Sequence, residues 1–384
     1  MNKALYTILC ILISFPGFSQ LTNQWVDYNK SYYKFKVVAD GVYRIDYATL
    51  QNAAQFAGLP LNSINRKDFQ IFGRGQELYI HVEGAGPNSS PMVAGDYIEF
   101  YAEKNTGWLD ASYYSYPEWH ANPNVSLFTD TATYYLTWNN TTPNRRLAPL
   151  ANMNFTGKTT EDYFMFESRV DQLSQPSNGR YILSATTALY EPEFTEGQGW
   201  TGPAFTSSTH TVAIPTPDAY AAGPTAIATA SVIGNNLQNH IVVVNVAGAG
   251  STLNLSGIEV GKLNYAVNPA NLGSPTTNFS FTAQQGSNDR NTVAFAAIEY
   301  PHTLSLGSAS QMKMRIADAG IGDTAYLNFT NFDDQGEIVW LYDLSNNRRI
   351  AVGGTGASHE VLVPNAGGDK QCFLFNEGQI ISIT

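Results

Sequence analysis

Apolar and polar residues alternate with a period of two through most of this chain, in short runs divided by Gly, Pro, Asn and Ser. That period sends successive side chains to opposite faces of an extended strand. The first stretch, YYKFKVVADGVYRI, sets two such runs on either side of Asp40-Gly41 and predicts a hairpin. The period then lengthens. Asp46 can cap a helix over 46–57, Leu50, Ala54 and Ala57 recur at helical spacing, and Gly58 followed by Pro60 stops it. Strand runs resume at 69–73, 77–83, 96–103 and 133–139.

Between 141 and 158 the alternation lapses, and the segment carries Pro143, Pro149 and the adjacent pair Arg145 and Arg146. The pattern therefore predicts a β-rich N-terminal domain over 20–152 with one helix near 46–57, and a second region over 158–384. Regularly spaced strand runs in the second region predict a β-sandwich of jelly-roll type, with a division into two subdomains placed near 265–320. The run EIVWLYDL is apolar on both faces, which suits a strand covered on both sides. The expected fold class is all-β, mainly antiparallel. The strand-like end GQIISIT, with no polar tail, reads as the front part of a longer protein.

The first nineteen residues depart from the strand pattern. Lys3, an apolar run from Ala4 to Phe15 and small residues at Gly17 and Ser19 make a secretory signal cleaved before Gln20. The expected location is the periplasm, the cell surface or the extracellular space. The run is too short to span a bilayer, and no later stretch approaches the roughly 20 apolar residues that a membrane helix needs. Cleavage removes the positive charge of Lys3, so the formal net charge of -11 becomes -12. Such an acidic chain argues against nucleic acid or an anionic membrane as partner. Cys10 lies in the signal, which leaves Cys372 without an intramolecular disulfide partner. A lipoprotein reading of Cys10 is disfavoured by Leu9, which stands where a small residue is wanted, and by the very short segment before it.

Reactive constellations are scarce. None of His81, His120, His210, His240, His302 and His359 has the helical-turn neighbour of a zinc hydrolase, and each reads as a surface or strand residue. Cys372 sits in QCFLF, an aromatic strand context where a free thiol behaves as a small buried hydrophobe rather than a nucleophile. Glu191, Glu193 and Glu196 form one carboxylate group, and Asp333, Asp334 and Glu337 another, which offers oxygen ligands for calcium. Trp108, Tyr113, Tyr114, Tyr116 and Trp119 can supply a stacking platform for a bound ligand.

GVYRI with the capped helix and GDYIEFYAE, then EFTEGQGWTGPAF, FAAIEYPHTL and IVWLYDLSNNRRIAV, follow one another in an order that resembles the N-terminal region of the gingipain-type cysteine peptidase family, including the sortase-like peptidase of the type IX secretion system. The resemblance covers most of the chain between Tyr32 and Phe375. It implies that the chain is the non-catalytic β-rich part, because in that family the catalytic histidine and cysteine lie in a following α/β domain. No catalytic residue carries over. The implied partners are a downstream peptidase domain and secretion components, and the resemblance implies an uncovered apolar patch on the second β-region. The alternative is a stand-alone exported module that binds glycan or protein through the aromatics around Trp108, Tyr113 and Tyr116. An enzyme complete within this chain ranks third.

Overall fold

The computed structural model describes residues 23–384 apart from 142, 319–323 and 357, so the signal expected at 1–19 lies outside the described residues. The fold is all-β and mainly antiparallel, with one α-helix among the described residues, Tyr47–Ala57. A small β-rich unit comes first and a β-sandwich follows.

In the N-terminal unit two four-stranded sheets share one core. One runs in the order Tyr33–Val37, Ala132–Trp138, Phe69–Gly73, Gln76–Glu77, and the other Ile381–Ser382, Gly41–Asp46, Tyr97–Ala102, His81–Glu83. Alternation delivers Val37, Ile71 and Leu136 from the first sheet, and Tyr43, Ile45, Ile98 and Phe100 from the second, to a common interior. Leu50 of the helix packs into the same core.

The hairpin expected at Asp40-Gly41 does not form. Tyr33–Val37 pairs with Ala132–Trp138, whereas Gly41–Asp46 pairs with Tyr97–Ala102, so the turn is a corner where the chain changes sheets. Tyr43 explains the difference. Its buried hydroxyl donates to the Ala39 carbonyl and accepts from the Ala39 N–H, which holds the corner, and Asp40 Oδ1 accepts from the Lys104 N–H. A local turn signal reports the turn and not the partner strand.

The helix ends as its sequence predicts, with Gly58 in the left-handed region at φ 75° and its N–H on the Ala53 carbonyl. Asp46 occupies the N-cap position without a side-chain capping bond. Ala57 is exposed, and the packing stripe is Tyr47, Leu50, Ala53 and Ala54.

A nine-stranded sheet organises the rest, in the order Val260–Val267, Ala226–Gly234, Asn291–Thr303, Tyr163–Asp171, Gln311–Ile316, Lys370–Asn376, Val339–Asp343, Arg348–Ala351, Ala148–Leu150. Its two faces have different fates. One face is covered twice. The sheet of Thr209–Pro215, Thr276–Ala283, Asn239–Val246 and Ala249–Ser256 closes a core around Val232, Ile298, Val244 and Phe281. The sheet of Thr324–Thr330, Ser358–Pro364 and Gly353–Thr355 closes another around Met314, Leu341, Leu327 and Val361. On the opposite face Tyr342, Phe373 and Phe375 meet Val42 and Leu147 of the N-terminal unit. Strand Val339–Asp343 is thus covered on both sides, by Leu341 in one core and Tyr342 in the other.

Two strands cross between the units. Ala148–Leu150 runs parallel to Arg348–Ala351, and Ile381–Ser382 runs parallel to Gly41–Asp46. Asn291–Thr303 and Gln311–Ile316 both lie in the interior of the large sheet, and the chain passes from the first of the two sandwich cores to the second between them.

Candidate functional site

A cleft of about 1280 Å³ opens between the N-terminal unit and the large sheet. Its floor follows from strand alternation: Glu167, Arg169 and Asp171 are every second residue of Tyr163–Asp171, and Lys313 and Arg315 of Gln311–Ile316. Arg74, Glu103, Lys104 and Trp108 stand on the wall. Ion pairs tie floor to wall, with Lys313 Nζ 2.7 Å from Glu103 Oε1 and Arg74 Nη1 2.8 Å from Glu103 Oε2. Burial pushes the Glu103 carboxyl up, and the two cations more than offset this, so it stays below the ordinary carboxylate value. Burial, with the Glu103 charge beside it, pushes the Tyr101 hydroxyl well up.

On the floor, Glu299 and Glu167 stand directly opposite on neighbouring strands, a like-charge pair that is unfavourable by itself. Arg315 relieves it, with Nε 2.7 Å from Glu299 Oε1 and a second contact to Asp369. The Glu299 bond is also the first cause that raises the Arg315 guanidinium above its usual value. Arg169 pairs with Asp171 at 2.7 Å and lies 3.8 Å above the Phe295 ring. Most cations and carboxylates here are spent on one another, which makes the cleft polar and cohesive.

A buried charge cluster beside the cleft staples the units. Glu99 is fully buried and accepts from Arg44 Nη2 at 2.5 Å and from the Tyr342 hydroxyl at 3.2 Å, with Arg349 Nη2 3.5 Å away. Arg349 lies 3.4 Å above the Trp340 ring, and Trp340 Nε1 donates to Glu377 at 2.9 Å.

The aromatics singled out from sequence do not form one platform. Trp108 lines the cleft. Tyr116 and Trp119 pack together at 4.8 Å, with the Arg180 guanidinium 4.7 Å above Trp119. Tyr113 joins a separate group with Phe194 at 5.1 Å and Phe128 at 5.9 Å, and Tyr114 is buried against His120.

Asp333, Asp334 and Glu337 do not gather either. Asp334 accepts from the Gly336 and Gly356 N–H groups, which hold its carboxyl below the ordinary value. Asp333 accepts from Gln335, and Glu337 is exposed. Among the described residues no three His, Cys, Asp or Glu side chains converge as a metal-binding set. Glu196 is buried and pairs with Arg180 at 2.5 Å, while Glu191 and Glu193 face solvent. Cys372 is fully buried in an interior strand, and burial pushes its thiol well above the usual value. His120, His240, His302 and His359 are buried, more so than surface positions would be. His240 Nδ1 lies 3.0 Å from Asp289 Oδ1, and that carboxylate also accepts from Asn291 and from the Gln284 and Gln285 N–H groups, a structural knot.

The sequence pattern marks 180–185 as a strand and says nothing of its exposure. Tyr181–Ser184 and Thr187–Tyr190 pair only with each other and stand as a two-stranded ribbon. Ile182, Leu183, Leu189 and Tyr190 are exposed to 63%, 56%, 55% and 49%. At roughly 200 Å² for a fully exposed large side chain, this is on the order of 450 Å² of apolar surface, divided between the Ile182 and Leu189 face and the Leu183 and Tyr190 face of the ribbon and within the ordinary range for a monomer. The signal was present: YILSATTALY contains no charged residue.

No protein-family model and no curated protein matches the chain. Among solved structures, it aligns with the crystal structure of dimeric latent PorU from Porphyromonas gingivalis at a TM-score of 0.54 and 13% identity. The likeness is one of fold. It covers 92% of this chain and 32% of that one, so the chain spans about a third of the length of PorU. Two carbohydrate-binding modules also align over 34% of the chain. The CBM36-1 domain of a multidomain xylanase from the hindgut metagenome of Trinervitermes trinervoides scores 0.21 at 14% identity over 95% of its length. A CBM36 module in complex with calcium and xylotriose scores 0.20 at 12% identity over 98% of its length. Scores that low carry no argument about this chain.

Proposed function

We propose that this chain is the non-catalytic β-rich part of an exported gingipain-like cysteine peptidase engaged in type IX secretion or surface proteolysis, and that it supports or regulates a downstream peptidase domain outside these 384 residues. The observation that carries the reading is the uncovered apolar ribbon 181–190, since the resemblance implies a bare patch on the second β-region. The fold likeness to a third of PorU supports it. Reading the coding sequence past Thr384 tests it. An in-frame domain of alternating strands and helices with a histidine and a later cysteine supports the proposal; a stop codon, or a continuation without them, sinks it.

The second reading is an exported surface module for glycan or protein. Trp108 and Tyr79, each 36% exposed on the cleft, favour it. Binding on a glycan array that disappears in Trp108→Ala supports this reading, and binding unchanged by that substitution removes its basis.

A further inference from the structure

The edge of strand Gly41–Asp46 is occupied in an unusual way. Its partner on that side is a two-residue strand, Ile381–Ser382, which comes from the far end of the described chain and runs parallel to it. The register sets Tyr43 opposite Ile381 and Arg44 opposite Ser382. Ile383 continues the contact, its N–H donating to the Arg44 carbonyl at 2.9 Å and its carbonyl accepting from Thr49 Oγ1 at 2.9 Å. Ile381 and Ile383 enter the N-terminal core beside Tyr43, Ile45 and Leu50, while Ser382 points outward and is exposed. The segment arrives over the turn Glu377–Gln379, where Glu377 accepts from Trp340 Nε1.

We infer that this edge is a strand-acceptor site for an extended apolar peptide, filled here by residues 380–383 of the chain itself. Three features define the site. The backbone of Gly41–Asp46 supplies a ladder that any strand can use. Two inward positions, with one residue between them, take β-branched or similar apolar side chains. Thr49 Oγ1 and the Arg44 carbonyl hold the peptide group at the second of these positions, which excludes proline there.

The matching ligand class is an uncharged strand with the pattern Ile-x-Ile. Two paired residues make a short ladder, and the covalent tether supplies an effective concentration in the millimolar range for short flexible links. The same segment on a second copy of the chain therefore competes for the edge when the tethered strand lifts. The site does not depend on the role proposed above, since its occupant is already in the structure.

The test uses a fluorescent synthetic peptide, EGQIISIT, matching residues 377–384. It is titrated into the full chain and into the Ile381→Asn, Ile383→Asn double variant, with binding followed by anisotropy and folding by circular dichroism. The double variant is expected to bind with a Kd of roughly 10 µM to 1 mM, and the full chain at least about tenfold more weakly. A peptide with both inward isoleucines replaced by asparagine should not bind either chain. A folded variant that ignores the peptide up to about 1 mM, or equal binding by both chains, overturns the inference. If the variant does not fold, hydrogen exchange on the full chain decides. The Ile383 amide should exchange at least about tenfold faster than the protected amides of Tyr97–Ala102, and equal protection would show a strand that leaves only on global unfolding.

Discussion

Glu99 joins the N-terminal unit to the large sheet, so replacing it should weaken the whole molecule more than its own strand. In Glu99→Gln the carboxylate that faces Arg44, Arg349 and the Tyr342 hydroxyl becomes neutral. Removing one partner of a buried ion pair costs about 3–5 kcal/mol when the other charge is stranded. Here the loss is partly recovered, because Glu377 lies 3.8 Å from Arg44 and 3.9 Å from Arg349, and the Arg44 side chain keeps 21% of its exposure. We therefore expect a loss of about 2–3 kcal/mol in urea unfolding. Arg349→Met should cost less in the Glu99→Gln background than in the native chain, with a coupling of about 1–2 kcal/mol. A loss below about 0.5 kcal/mol for Glu99→Gln, the range of ordinary surface changes, would refute the reasoning.

Acid should destabilise the fold in a defined window. Burial holds His81, His120, His210 and His302 below the ordinary imidazole value, so the unfolded chain takes up protons first. Their contribution is complete above about pH 6.5 and declines as pH falls through it, and a urea midpoint that stays flat between about pH 8 and pH 5 contradicts this. Glu103, Asp289 and Asp334, held below their ordinary values, add a further loss only below about pH 4. Cys372 should resist a thiol reagent in the native protein and react on unfolding, because it is fully buried with its thiol pushed up; rapid native labelling refutes that. Gly84→Ala should cost about 1–3 kcal/mol, since a Cβ there would lie 2.4 Å from Arg66 Nε and 2.7 Å from Asp96 Oδ1, a buried ion pair. An unchanged urea midpoint would show that the pair moves aside freely. Leu50→Ala should cost about 2–5 kcal/mol by opening the shared core, and calorimetry checks it.

The sequence by itself determined the local elements, because they rest on local physics. Most period-two runs became strands, although 77–83 is divided between Gln76–Glu77 and His81–Glu83 in different sheets; the Leu50 stripe and Gly58 became the helix and its end, and the apolar strand around Leu341 and Tyr342 is covered on both sides. The aromatic context of Cys372 foretold its burial. Partners were another matter. Asp40-Gly41 fixes a turn, yet whether the flanking strands pair depends on Tyr43 and on the distant strands Ala132–Trp138 and Tyr97–Ala102. Nothing near Ile381 announces that it joins Gly41–Asp46, or near Glu99 that it meets Arg349. The cleft charges were likewise visible only as scattered residues. Strand geometry fixes which side a residue faces, but contact between sheets is decided by burying apolar area over the whole chain, a non-local quantity. Tertiary structure alone therefore divided Trp108 from Tyr113, spent Asp334 on the Gly336 and Gly356 amides, and left the ribbon 181–190 uncovered.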